Sequence, residues 1–171
     1  MMYAQINQRA DNWEDAIRIA CKPLIENGHV TTKFAELTIE REKKWPTGLP
    51  SLPVGVAIPH AETRDQIIKA EISAVVLNEP TTFKQAGNDE ISVSVQLVFV
   101  LAFDDSTLQL NMIANLMECI SKAENLNALL QAKTEEDFIQ IYNSVRNPST
   151  NLEHESSTRK EVKLCPVEQL R

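Results

Sequence analysis

Val93-Ser94-Val95-Gln96-Leu97-Val98-Phe99-Val100-Leu101-Ala102-Phe103 is the most apolar run in the chain. It shows little of the apolar–polar alternation of a strand with one wet face. It therefore predicts a central strand buried on both sides. Asp104-Asp105-Ser106 ends it. A strand covered on both faces needs helices above and below, and the chain supplies them on either side of this run.

Upstream, Trp13, Ala16, Ile17, Ala20, Cys21, Leu24 and Ile25 recur at i, i+3, i+4, i+7 spacing. They predict a helix over 12–27, with Asn27-Gly28 as its C-terminal cap and Pro23 as the point of a kink. A second helix is expected over 32–43. Phe34, Leu37 and Thr38 share one face, and Arg41 follows on that face one turn later. The stretch 45–55, WPTGLPSLPVG, is rich in Pro and Gly and reads as loop. Val54 to Ile58 is a short strand ending at Pro59-His60. A further strand within 67–77 has Ala74-Val75-Val76-Leu77 as its heart. Residues 78–90, NEPTTFKQAGNDE, read as turn and loop.

Downstream, Ser106-Thr107-Leu108-Gln109 has the pattern of a capping box opening a helix to 121. Ser121-Lys122-Ala123-Glu124 repeats it for a short helix to 132. Thr134 starts a last helix, with Phe138, Ile141, Tyr142 and Val145 on one face, and Asn147-Pro148-Ser149 stops it. Three helices bunched at the end do not make a repeating βαβ pattern. The expected class is α+β, a three-layer α/β/α arrangement around a central mixed sheet. One domain over 1–147 and a polar, mobile tail over 148–171 follow.

The 171 residues carry a formal net charge of -7, with 43% hydrophobic and 24% charged residues. That composition excludes wholesale disorder, and no basic stripe marks a nucleic-acid binder. No apolar run approaches a membrane span, and the N-terminus lacks a secretory pattern. Cys21, Cys119 and Cys165 are odd in number and widely spaced, which fits neither a disulfide framework nor a metal site, so the cytoplasm is expected. Phosphate-cradling glycine motifs, G-x-S-x-G and H-E-x-x-H are all absent. With three histidines, a multi-histidine metal site is excluded, and no cofactor or metal is expected.

The candidate centre is Gly55-Val56-Ala57-Ile58-Pro59-His60. A short apolar strand delivers a histidine to its C-terminal end, where open α/β sheets bind ligands. Pro59 lacks an N–H, and it is expected to end the ladder and turn His60 out of the sheet. A neutral imidazole nitrogen is a nucleophile near pH 7. By pattern alone, a surface histidine after a strand reads equally well. His29 reads as a loop residue after the Gly28 cap, and His154 as a solvated tail residue. Glu62, Thr63 and Arg64 form a turn able to touch a partner. Cys21 and Cys119 read as core thiols.

Gly55-Val56-Ala57-Ile58-Pro59-His60-Ala61 resembles the active-site signature of the enzyme IIA components of the bacterial phosphoenolpyruvate-dependent sugar phosphotransferase system, of the mannitol/fructose type. The order and spacing of the flanking elements are similar over Asn12 to Tyr142. The stretches RExxWPTGL (from Arg41) and TFKQAGNDE (from Thr82) are similar to the galactitol-type branch.

The resemblance implies a phosphorylation cycle. The phosphocarrier HPr gives its phosphoryl group to His60, expected on Nε2. The group then passes to a cysteine of enzyme IIB, and reaches the sugar through the membrane component IIC. Arg41 is implied as the residue stabilising the phosphoryl oxygens, as a guanidinium can bond two of them. Its alternative is an arginine whose head is merely solvated. At the start of the helix after Ser106 the family usually carries a second histidine. Gln109 falls there, as in the galactitol branch, able to orient or hydrogen-bond but not to carry charge. The capping-box partner of Ser106 is its alternative role. An alignment shifted by two puts Thr107 at that place. A regulatory relative, whose His60 phosphorylation switches binding to other proteins, is the competing function.

Overall fold

Two strands form the spine of the structure, a computed structural model that describes residues 2–62 and 65–146. They are β4, Glu71–Gln85, and β5, Asn88–Ala102, and they make a long antiparallel hairpin. From Leu97 to Ala102 every residue is at most 1% exposed, which is why this half of β5 shows no alternation. The remaining elements are β1 (Met2–Gln8), α1 (Trp13–Glu26), α2 (Phe34–Lys44), β2 (Gly48–Leu49), β3 (Gly55–Ala57), α3 (Ser106–Ile120), α4 (Ala123–Leu130) and α5 (Glu135–Arg146).

β1 lies parallel to β4, with Ala4 opposite Ala74. β3 lies parallel to β5 on the other side, with Ala57 opposite Val98. β2 runs antiparallel to β3, and its Gly48 also meets Gln85 at the far end of β4. The sheet is mixed, and alternate side chains feed two separate cores. Val75, Leu77, Val98 and Val100 face α1 and α2. Ala74, Val76, Leu97, Phe99 and Leu101 face α3, α4 and α5. The expected three-layer α+β class is what is observed.

Four local expectations are corrected. Residues 78–90 are mostly strand, because the hairpin continues past a register shift between Val76 and Thr81 and turns only at 86–87. Asn78, Glu79 and Pro80 are exposed there, and Phe83 alone in the second half of β4 is buried, so the strand carries little apolar signal. The stretch 45–55 contains β2. The cap of α3 is Asp105, whose side chain accepts from the Thr107 and Leu108 amides, and not Ser106. Ser121 closes α3 rather than opening α4, its hydroxyl donating to the Glu118 carbonyl.

The sequence reading made no assignment for β1, a polar edge strand. Its Gln5 has a defined task. Pro23 sits inside α1 and cannot donate to the Ile19 carbonyl one turn back. The Gln5 side-chain amide donates to that carbonyl instead, at 2.8 Å. Gly28, at φ +70, ends α1 as expected.

Candidate functional site

β3 ends at Ala57, and the chain then runs Ile58-Pro59-His60 along the C-terminal end of β5. The Leu101 amide donates to the Pro59 carbonyl at 3.1 Å, and His60 pairs with Leu101 in an isolated parallel bridge. His60 lies outside β3 but is held by the sheet rather than turned out of it, because Pro59 lacks a donor while its carbonyl still accepts. Its ring is half-buried. Nδ1 lies 3.0 Å from the Ile58 carbonyl oxygen. A carbonyl only accepts, so Nδ1 carries the proton in the neutral ring, and Nε2 keeps its lone pair.

The electrostatics favour the neutral ring. Burial pushes the His60 imidazole below its ordinary range, the Ile58 hydrogen bond works against that, and the Arg41 charge adds to it. Arg41 stands in the last turn of α2. Its Nη1 donates to the Trp45 carbonyl at 2.5 Å, while the Trp45 amide donates to the Arg41 carbonyl at 2.9 Å. The residue that ends the helix thus fixes the guanidinium. Burial lowers the Arg41 pKa, and the Glu42 and Glu62 carboxylates oppose that shift. Arg41 and His60 are brought together in one electrostatic site. Glu62 belongs to it too, which the sequence reading offered only as a turn residue. Thr63, Arg64, His154, Cys165 and the expected tail over 148–171 lie outside the described residues.

Gln109 sits in the first turn of α3, four residues past the Asp105 cap, and its backbone amide donates to the Asp105 carbonyl. It is not the partner of a Ser106 cap. Among the described residues its side-chain amide makes no hydrogen bond to His60 or to any other group, and it is half-buried. Thr107 is exposed. His29 lies in the loop after α1, as expected, and is buried at 6% exposure, its Nε2 3.0 Å from the Tyr3 hydroxyl. Cys21 and Cys119 are buried thiols, as expected. Among the described residues, no His, Cys, Asp and Glu cluster could hold a metal ion, and no helix is long and apolar enough to cross a membrane.

Two residues beside His60 escaped the sequence reading. Glu42 is buried, and both its carboxylate oxygens are taken by Thr47. The Thr47 amide donates to Oε1 at 2.7 Å and the hydroxyl to Oε2 at 2.9 Å. The same hydroxyl accepts from the Ile58 amide at 3.1 Å. Burial pushes the Glu42 carboxyl up to about 7, although the Thr47 hydrogen bonds and the Arg41 charge hold it down. A signal existed. Phe34, Thr38 and Glu42 are spaced i, i+4, i+8, which puts a carboxylate on the buried stripe of α2.

Solved structures share this architecture. The enzyme IIA(Mtl) of Escherichia coli, in its complex with phosphorylated enzyme IIB(Mtl), superposes with a TM-score of 0.68 at 21% identity, over 83% of this chain and 94% of that one. The mannitol-specific phosphotransferase enzyme IIA component of Bacillus subtilis (strain 168) is 31% identical over 143 residues, covering 82% of this chain and 93% of its own length. An ascorbate-specific phosphotransferase EIIA component from Shigella boydii is 23% identical over 138 residues, 80% of this chain and 86% of that protein. The fold is thus that of the mannitol-type enzyme IIA structures. The family model described as "Phosphoenolpyruvate-dependent sugar phosphotransferase system, EIIA 2" matches residues 2–145, and the chain belongs to that family.

Proposed function

We propose that this chain is a phosphocarrier that accepts a phosphoryl group from HPr on His60 Nε2 and passes it to a cysteine of enzyme IIB. The observation that carries this reading is the Nδ1 contact to the Ile58 carbonyl, which leaves Nε2 as the nucleophilic nitrogen. In the accepting step the Nε2 lone pair attacks phosphorus in line. The new P–N bond forms as the donor's bond to phosphorus breaks, and Nδ1 keeps its proton, which it donates to the Ile58 carbonyl. In the donating step a thiolate of enzyme IIB attacks the same phosphorus, and the neutral ring leaves. Such transfer needs positioning and charge stabilisation rather than covalent machinery. Arg41 supplies two N–H groups for the phosphoryl oxygens, and Gln109 a neutral donor.

The sugar belongs to the downstream membrane component IIC, so this chain works at the cytoplasmic face. The stretches from Arg41 and Thr82, with glutamine at position 109, support a galactitol-type system, whereas the named relatives are mannitol- and ascorbate-specific. Incubation with phosphoenolpyruvate, enzyme I and HPr tests the reading by intact mass. The wild type should gain one phosphoryl group and His60→Ala none. An equal gain in both would remove His60 from the role. Subsequent loss of the group to a galactitol-type enzyme IIB, and not to a mannitol- or ascorbate-type one, would establish the branch. A phosphorylated chain that no enzyme IIB discharges would turn the reading into the regulatory one.

A further inference from the structure

The Glu42 carboxylate has no place in the transfer itself, yet it is buried and fully engaged. Its partner Thr47 joins the last turn of α2 to the segment that follows β3. Through its amide and hydroxyl Thr47 is bound to α2, and through its hydroxyl oxygen it holds the Ile58 amide. Ile58 in turn presents the carbonyl that holds His60 Nδ1. A continuous path of hydrogen bonds therefore runs from the last turn of α2 to the imidazole ring. Beside it, the Arg41 side chain is fixed to Trp45, two residues before Thr47. We propose that Glu42 and Thr47 are positioning residues, which set the seat of Ile58 so that its carbonyl selects the Nδ1–H tautomer of His60 and keeps the ring beside Arg41.

The inference rests on His60 being the phosphoryl acceptor for its effect on rate, but not for its effect on the ring. Removing the Thr47 hydroxyl leaves the Ile58 amide without its acceptor and one Glu42 oxygen without its donor. The Ile58-Pro59 segment can then settle elsewhere, because no ladder hydrogen bond from Pro59 N replaces the lost one. A small displacement of the acceptor nitrogen is costly in a transfer that depends on alignment. The Arg41 guanidinium is bonded to Trp45 and not to Thr47, so it should stay in place.

Thr47→Val keeps the side-chain shape and removes the hydroxyl, and Thr47→Ser restores the hydroxyl. The two readouts are the rate of transfer from phosphorylated HPr and the ¹⁵N chemical shifts of the His60 ring, which report the tautomer. Thr47→Val should slow transfer about tenfold and turn a ring protonated on Nδ1 into a mixture of tautomers. Thr47→Ser should recover most of both. Glu42→Gln, with the same shape and a melting transition close to wild type, should move both readouts in the same direction as Thr47→Val and serves if that variant does not fold. A folded Thr47→Val or Glu42→Gln with the wild-type rate and wild-type ring shifts would overturn the inference. Loss of rate without any change in tautomer would also overturn it, since Thr47 would then act elsewhere. If the wild type accepts no phosphoryl group but its ring still loses its single tautomer in Thr47→Val, the phosphocarrier reading fails and the positioning role stands.

Discussion

The two helices that carry the expected site residues Arg41 and Gln109 are built differently at those residues. On the flank of α2 and β3, hydrogen bonds tie Glu42 to Thr47, Thr47 to Ile58, and Ile58 to the imidazole, and Arg41 is pinned to Trp45. At the start of α3, which follows the end of β5, Leu108 is 51% and Leu110 67% exposed, and the Gln109 side-chain amide bonds to nothing among the described residues. One flank fixes the acceptor nitrogen before any partner arrives. The other offers apolar surface and unengaged groups, the composition of a contact that must form and dissociate quickly. The difference teaches where rigidity is needed in a carrier. On the proposed phosphocarrier reading, the reacting atom is held, and the surface offered to successive partners is left open.

Arg41→Gln should do most to erase this difference. Removing one charged donor aimed at a developing phosphoryl charge costs transfer about 10²–10³-fold. The same change should move the acid limb of the pH–rate profile upward. The Arg41 charge lowers the His60 pKa, so without it the ring protonates at higher pH and loses its nucleophile sooner. Transfer assays with phosphorylated HPr across the acid range read both effects. An unchanged limb would mean that Arg41 does not face the ring in solution.

Gly55→Ala attacks the seating of β3. A Cβ there would lie 2.3 Å from the Ser94 carbonyl oxygen and 2.8 Å from Val93 Cγ1, both belonging to the strand on which His60 depends. Backbone must shift, and the expected destabilisation is about 3 kcal/mol in urea unfolding. A loss below about 0.5 kcal/mol would show that β3 does not lie this close to β5.

Glu42 gives the ordered flank a pH dependence. Its folded pKa of about 7 lies above the unfolded value of 4.5, so the protonated carboxyl is the form that folding favours. The stability it contributes is complete below pH 4.5 and is lost as pH rises through about 7. Each tenfold change in proton affinity is worth about 1.4 kcal/mol, so the loss is of order 3 kcal/mol across that window. Glu42→Gln should remove this slope from a plot of unfolding free energy against pH. Parallel curves for the two proteins would place the Glu42 carboxylate in water and dissolve its bonds to Thr47.

What the sequence disclosed follows the same division. Pro59 after an apolar strand marked where β3 ends, and the resemblance, not the pattern, singled out His60. That the histidine pairs with Leu101 beyond the proline was not legible. The uninterrupted run of β5 announced a strand buried on both faces. The outer half of β4 was hidden, since beyond the register shift only its Phe83 enters the core, opposite Val93 of β5. β1 was hidden too, as an edge strand whose Gln5 and Gln8 dilute its apolar residues. Asp105 and Ser106 are adjacent capping residues, and a sequence pattern alone does not separate them. Arg41 was legible through its helix face and its resemblance to a family position. The burial of Glu42 could be read from its spacing to Phe34 and Thr38, but its partnership with Thr47 could not, because it depends on how α2 meets the segment before β2.

Position 109 is where the smallest effect should separate two alignments. A neutral amide that gains one hydrogen bond to a phosphoryl oxygen contributes about 1 kcal/mol, so Gln109→Ala should slow transfer about fivefold. Thr107 is more exposed and its backbone amide is already taken by Asp105, so Thr107→Ala should leave the rate within a factor of about two. Single-turnover transfer from phosphorylated HPr resolves both. The reverse ranking would move the functional position two residues toward the cap. Equal, wild-type rates in both variants would mean that α3 lends no side chain to the chemistry. Its flank would then act only through Leu108, Leu110 and their neighbours, and the acceptor would be stabilised from the α2 side alone.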